Sequence, residues 1–104
     1  MTNVVALVDT GAQDSCIDRA LATRLKLPAV DRQVVCGVGR LEVDVFMAQI
    51  HIEKLKYTIY GRFAGVPLEE NGHRQLVLIG RSFLRDCKLI YDGKSGDVTI
   101  QLAV

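Results

Sequence analysis

A chain of 104 residues with 49% hydrophobic content and only 2 prolines has room for one small core, so residues 1–104 are expected to form a single domain. The formal net charge is +1, and the basic residues are scattered (Arg19, Arg24, Lys26, Arg32, then Lys54, Lys56, Arg62), which leaves no stripe to follow a phosphate backbone and excludes nucleic acid as an expected partner. Cys16, Cys36 and Cys87 are odd in number and lack Cys-x-x-Cys spacing, so each reads as a small core residue of a cytoplasmic, reducing compartment rather than as part of a disulfide framework or zinc site. No apolar stretch approaches the roughly 18 residues of a membrane span, and Met1-Thr2-Asn3 is no secretory leader, so the chain reads as soluble.

The first element is Val4-Val5-Ala6-Leu7-Val8, five small or β-branched apolar residues that suit a strand buried on both faces. It ends in Asp9-Thr10-Gly11-Ala12. A carboxylate at the edge of a core, beside the hydrogen-bond donors of a tight glycine turn, is placed for general acid/base chemistry. The same three residues also fit a strand that merely stops at an Asp-initiated turn. Asp18 then caps a helix through Arg19 to Leu25, with Leu21 and Leu25 on one face, and Leu27-Pro28 closes it. Asp14 and Asp18 read as turn and cap residues.

Gln33 to Cys36 forms a strand, Gly37-Val38-Gly39 a tight turn, and Leu41, Val43, Val45 and Met47 alternate with Glu42, Asp44 and Phe46 along the return strand of a hairpin. From Phe46 the apolar phase changes to Phe46, Ala48, Ile50 and Ile52, which requires a bulge or bend where the strand exchanges its buried face. His51 falls in the polar phase. Glu53 to Lys56 is a charged turn, Tyr57 to Phe63 a strand, and Pro67 to Gln75 an exposed polar loop in which His73 has no assigned role. Leu76-Val77-Leu78-Ile79-Gly80 is a second wholly apolar strand ending in glycine, followed by a short helix over Arg81 to Cys87 with Phe83, Leu84 and Cys87 turned inward. Leu89 to Tyr91 and Val98 to Leu102 are strands around the turn Asp92 to Asp97.

One pattern thus occurs twice: a buried strand, a glycine turn, then a helix. In that arrangement Leu7-Val8-Asp9-Thr10-Gly11-Ala12, the glycine hairpin and Leu78-Ile79-Gly80-Arg81 together resemble the retropepsins, the single-lobed aspartic proteases of retroviruses and their cellular relatives. The stretch from Gly37 to Ile52, including Met47-Ala48-Gln49-Ile50-His51-Ile52, is also similar to the retroviral-like protease domain of the DNA-damage-inducible ubiquitin shuttle proteins. The resemblance covers residues 4 to 91. It implies an all-β, closed-barrel-like acid-protease lobe with a flap hairpin and one or two short helices.

It further implies an aspartic endopeptidase that needs two aspartates. This chain offers one in the required Asp-Thr-Gly setting, so a homodimer would supply the second by symmetry. On that basis Asp9 is the expected acid/base, Thr10 would brace the dyad, and Gly11 would contact substrate backbone. Ala12, Gln13 and Asp14 would line the cleft floor, Gly37, Val38 and Gly39 would close over an extended peptide, and Ile79 and Gly80 would support the turn. No metal and no organic cofactor are expected. The dimer sheet would use the last strand, Val98 to Val104, and little chain precedes the first strand, where retropepsins commonly add to that sheet.

One position departs from the retroviral pattern. There the arginine after the late Ile-Gly pairs with an acid four residues beyond the catalytic aspartate, whereas here Arg81 would face Gln13, so Gln13 and the neighbouring Asp14 are its expected partners. The rival to an active protease is a dimeric peptide-binding or assembly module on the same fold that has lost turnover.

Overall fold

The computed structural model describes residues 4–37, 39–53 and 56–103. Eight strands and two short helices follow in chain order: β1 (Ala6–Val8), β2 (Cys16–Asp18), α1 (Arg19–Arg24), β3 (Ala29–Gly37), β4 (Gly39–Ile52), β5 (Tyr57–Val66), β6 (Val77–Ile79), α2 (Arg81–Leu84), β7 (Cys87–Tyr91) and β8 (Val98–Leu102). Six strands form one sheet in the order β1-β6-β2-β5-β4-β3, and β7 and β8 form a separate two-stranded sheet. The all-β character expected from the sequence is present.

The expected barrel closure is not. Among the described residues, β1 and β3 end the large sheet as open edges, because β1 pairs only with β6 and β3 only with β4. The edge position of β1 also corrects the reading of a strand buried on both faces. Val5 and Leu7 are exposed in the single chain, since three paired residues at a sheet edge cannot cover both sides of an apolar run.

The hairpin of β3 and β4 pairs from Arg32↔Asp44 up to Gly37↔Gly39. Gly39 takes a φ of +98°, a left-handed conformation open to glycine that lets the chain reverse in so few residues. Val38, expected in the turn, lies outside the described residues. The change of apolar phase is real: Val43 and Val45 are buried, and so are Phe46 and Ala48, which as alternate residues face the other way. The irregularity that permits it lies on the partner strand. Ala29 pairs with Phe46 and Asp31 with Val45, so Val30 is an extra residue opposite the switch.

The core gathers Ile17, Leu21, Ala22, Phe46, Ala48, Phe63, Val77, Ile79 and Phe83 from both halves of the chain. Phe83 meets Tyr57 edge-on with ring centroids 6.5 Å apart. Helix α1 starts as predicted at Asp18, whose buried carboxylate accepts from Leu21 N–H (3.2 Å) and also from Glu69 N–H (3.1 Å), tying the helix start to the polar loop. Leu25, expected inside, is the exposed C-cap, since the helix ends at Arg24 before it completes the second apolar turn. Helix α2 stops at Leu84, so Cys87 opens β7 instead of closing a helix. Cys16 and Cys87 are half-buried free thiols and not core residues, and the Cys36 side chain lies outside the described residues. No described helix is long and apolar enough to cross a membrane.

Candidate active site

The parallel pairing of β1 with β6 puts Val8 beside Ile79, so the two apolar strands deliver their glycine turns to the same end of the sheet. The ladder continues one step past the strands: Asp9 N–H donates to Ile79 O at 2.9 Å. The chain then turns, with Ala12 N–H donating to Asp9 O at 3.2 Å. Inside that turn Gly11 N–H donates to Asp9 Oδ1 at 3.0 Å, which fixes the carboxylate against its own backbone. A Cβ on residue 11 would sit 3.2 Å from that same oxygen, so glycine keeps the carboxyl uncrowded. Asp9 is half-buried, Thr10 and Gly11 exposed.

Residues 9–15 are laced to residues 79–82 almost one by one. Arg81 N–H donates to Ala12 O and Ser82 N–H to Gln13 O, both at 2.8 Å. Gly80 N–H donates to the Ser15 hydroxyl at 3.0 Å. The approach is so close that a Cβ on Gly80 would lie 2.6 Å from Asp14 O and 2.9 Å from Ala12 O. Glycine at 80 is therefore a packing requirement.

Arg81 sits differently from expectation. Its guanidinium donates to the carbonyl oxygen of Thr10 at 2.8 Å, not to the side chain of Gln13 or Asp14. Asp14 instead accepts from Gln33 Nε2 at 3.3 Å, a link from the segment after the turn to the outgoing strand of the hairpin. Asp14, Gln33, Tyr60, Arg62 and Ser82 edge a groove of about 490 Å³ beside the turn. Gln33 and Ser15 carry no sequence signal: a polar residue in a strand and a lone serine after a turn are common everywhere. Of the hairpin residues predicted for the site, Gly37 and Gly39 face each other across the ladder.

The charges around the turn bear on which chemistry is available. Burial, with the nearby carboxylates of Asp14 and Asp9, pushes the Cys16 thiol up, so it stays protonated and un-nucleophilic at neutral pH. Burial likewise raises Cys87, with Asp86 adding to it. Among the described residues no three His, Cys, Asp or Glu side chains converge as a metal site. His51 is exposed, its Nδ1 2.8 Å from Thr58 Oγ1, and belongs to the strand surface.

A search among curated proteins finds no match to the chain. Residues 2–86, which include both glycine turns and the hairpin, match the family described as "gag-polyprotein putative aspartyl protease". With more than three quarters of its length matched, this chain belongs to that gag-type, retropepsin-like aspartyl protease family.

Proposed function

We propose that the chain is one half of an aspartic endopeptidase that cuts extended polypeptides with an Asp9 pair formed across a homodimer. The observation that carries this reading is the fixed carboxyl of Asp9 in a turn held by Gly11 N–H and Ile79 O. A single chain contributes one such carboxyl, and twofold symmetry is the economical source of a second.

In the dimer, two carboxylates in contact share one proton, because like charges at that distance cannot both ionise. The ionised member takes a proton from a water molecule as its oxygen attacks the scissile carbonyl carbon, and the protonated member donates to the carbonyl oxygen. The resulting gem-diol collapses with proton transfer to the leaving nitrogen, which releases the new carboxyl and amine ends. Thr10 braces the pair and Gly11 meets substrate backbone. Ala12, Gln13 and Asp14 form the floor, and the hairpin around Gly37, Val38 and Gly39 closes over the peptide as a flap. Ile79, Gly80 and Arg81 hold the turn from behind. Peptide binds as an added strand, with alternate side chains entering pockets. The water needs no metal, since carboxylates activate it.

The test is hydrolysis of an unstructured peptide with apolar residues around the cut, assayed from acidic to neutral pH. Activity is expected in acid, falling once the shared proton is lost, with inhibition by a statine-type peptide and loss of at least about 1,000-fold in Asp9→Asn. Full activity in purified Asp9→Asn would end the assignment. Tight, stoichiometric peptide binding without turnover would instead identify a binding module.

A further inference from the structure

Six residues beyond Asp9, Ser15 is 2% exposed, one of two polar side chains buried to that degree among the described residues. Its hydroxyl oxygen accepts the Gly80 N–H bond at 3.0 Å, and its backbone carbonyl accepts from Ala64 N–H at 3.0 Å. One residue thereby joins the catalytic turn to β5 and to the junction of β6 with α2. The Gly80 N–H is buried, and the carbonyls of Ala12 and Asp14 already crowd the glycine, so it cannot shift to another acceptor without displacing the turn.

The direction of the hydroxyl proton follows. Because Ser15 Oγ accepts from Gly80, its own proton points elsewhere, and Ser82 Oγ lies 3.4 Å away. Ser82 is exposed at the edge of the groove that also holds Asp14 and Gln33. The buried hydroxyl is thus the hinge pin between two segments: 9–14, with the carboxyl, and 79–82, against which that carboxyl is levelled through Asp9 N–H to Ile79 O.

We propose that Ser15 is a positioning residue for the Asp9 chemistry: by holding Gly80 it sets the height of the Ile79 to Arg81 backbone under the turn, and so the meeting of the two carboxyls on the dimer axis. The inference rests on the protease reading. Two carboxyls that must share a proton tolerate little displacement, so a shift too small to unfold the chain still acts on turnover.

The experiment compares Ser15→Ala, Ser15→Thr and Ser82→Ala with the parent on one peptide, measuring kcat, KM, the pH profile of kcat and the unfolding midpoint. Ser15→Ala is expected to lower kcat by about tenfold or more with KM within about twofold, and to displace the acid-to-neutral limb of its pH profile. Ser15→Thr, which keeps the hydroxyl, should recover most of the loss, and Ser82→Ala should lower kcat by a smaller factor. Parental kcat and pH profile in folded Ser15→Ala overturn the proposal. If Ser15→Ala does not fold, parental kcat and pH profile in Ser82→Ala overturn it. If the parent itself cleaves nothing, the protease reading fails separately, and amide NMR decides the geometry. In that case Ser15→Ala, or Ser82→Ala if the former is unfolded, must shift the Gly80 and Asp9 amide resonances more than those of β7 and β8, and an unmoved Asp9 amide overturns the positioning role.

Discussion

Arg81 reaches from the first residue of α2 to the carbonyl oxygen of Thr10, 2.8 Å away, so the turn carrying Asp9 is held by a cation on an uncharged acceptor. The guanidinium is exposed and keeps its hydration, which avoids the cost of a desolvated charge. It also makes the bond weaker than a bidentate ion pair with a carboxylate. Arg81→Lys is expected to raise the dimer dissociation constant, because an ammonium on a flexible four-carbon stem is less pre-organised to hold the Thr10 carbonyl. Gln13→Asp, which restores the acid that the retroviral pattern has at this position, should lower it. Sedimentation equilibrium on both variants checks the pair; if neither moves the constant, Arg81 has no part in shaping the turn.

Gly80→Ala should be among the most damaging single-methyl changes in the protein. The new Cβ would meet the Asp14 carbonyl at 2.6 Å and the Ala12 carbonyl at 2.9 Å, both backbone atoms with no rotamer to escape into. Overpacking of this kind costs about 1–3 kcal/mol, and here it separates the Asp9 turn from its support. Urea denaturation should show the destabilisation, and residual activity per folded chain should fall further than stability does.

Acid should loosen the hairpin before it unfolds the body. Arg32 N–H and the Arg62 guanidinium, donating to Asp31, hold its carboxyl below the usual carboxylate range. A depressed value means that the contribution to stability is fully present above the ordinary carboxylate value of about 4 and is lost as pH falls through the lowered one. Arg62 stands on β5 and Asp31 on β3, so their ion pair spans β4 next to the Val30 bulge. Asp31→Asn should therefore increase amide exchange in β3 at neutral pH, with the gap from the parent closing in strong acid. The pair is exposed, so added salt should narrow that gap too.

The β7–β8 ribbon is the expected site of subunit contact. Two strands alone are marginal in water, and Ile90, Tyr91, Val98 and Leu102 are exposed on this pair. If the ribbon is completed by a second copy, specific activity will fall faster than linearly on dilution, and Leu102→Lys will weaken association without changing the monomer's fold. Constant turnover per chain at concentrations where sedimentation reports monomer contradicts this.

Local chemistry made much of this legible from the residues alone. Asp18 announces a cap because only a short acceptor side chain can serve Leu21 N–H, and the change from Val45 to Phe46 announces a bulge because alternation cannot change faces otherwise. Asp9-Thr10-Gly11 and Ile79-Gly80-Arg81 could be paired through resemblance before any contact was known. What failed depended on partners remote in sequence. The edge position of β1 is set by where β6 lies, and the acceptor for Arg81 is a backbone carbonyl, which has no letter in the sequence. Ser15 was invisible for the same reason, its partner being the N–H of Gly80. Barrel closure has only family likeness behind it, and strand lengths of three residues in β1, β2 and β6 do not enforce it.

The pairing of β1 with β6 also dictates an order of assembly. Residues 6–8 have their strand partner at 77–79, so nearly the whole domain must leave the ribosome before the first strand has anything to pair with. Contacts of that sequence separation form slowly, since the loop between them must close first. Asp9 thus spends synthesis on an unanchored segment and acquires its fixed carboxyl only when Ile79 to Ser82 arrive. A nascent chain truncated before that point has Asp9, Thr10 and Gly11 without the contacts that fix them, so on the proposed protease reading completion of the fold is itself the timer for cleavage.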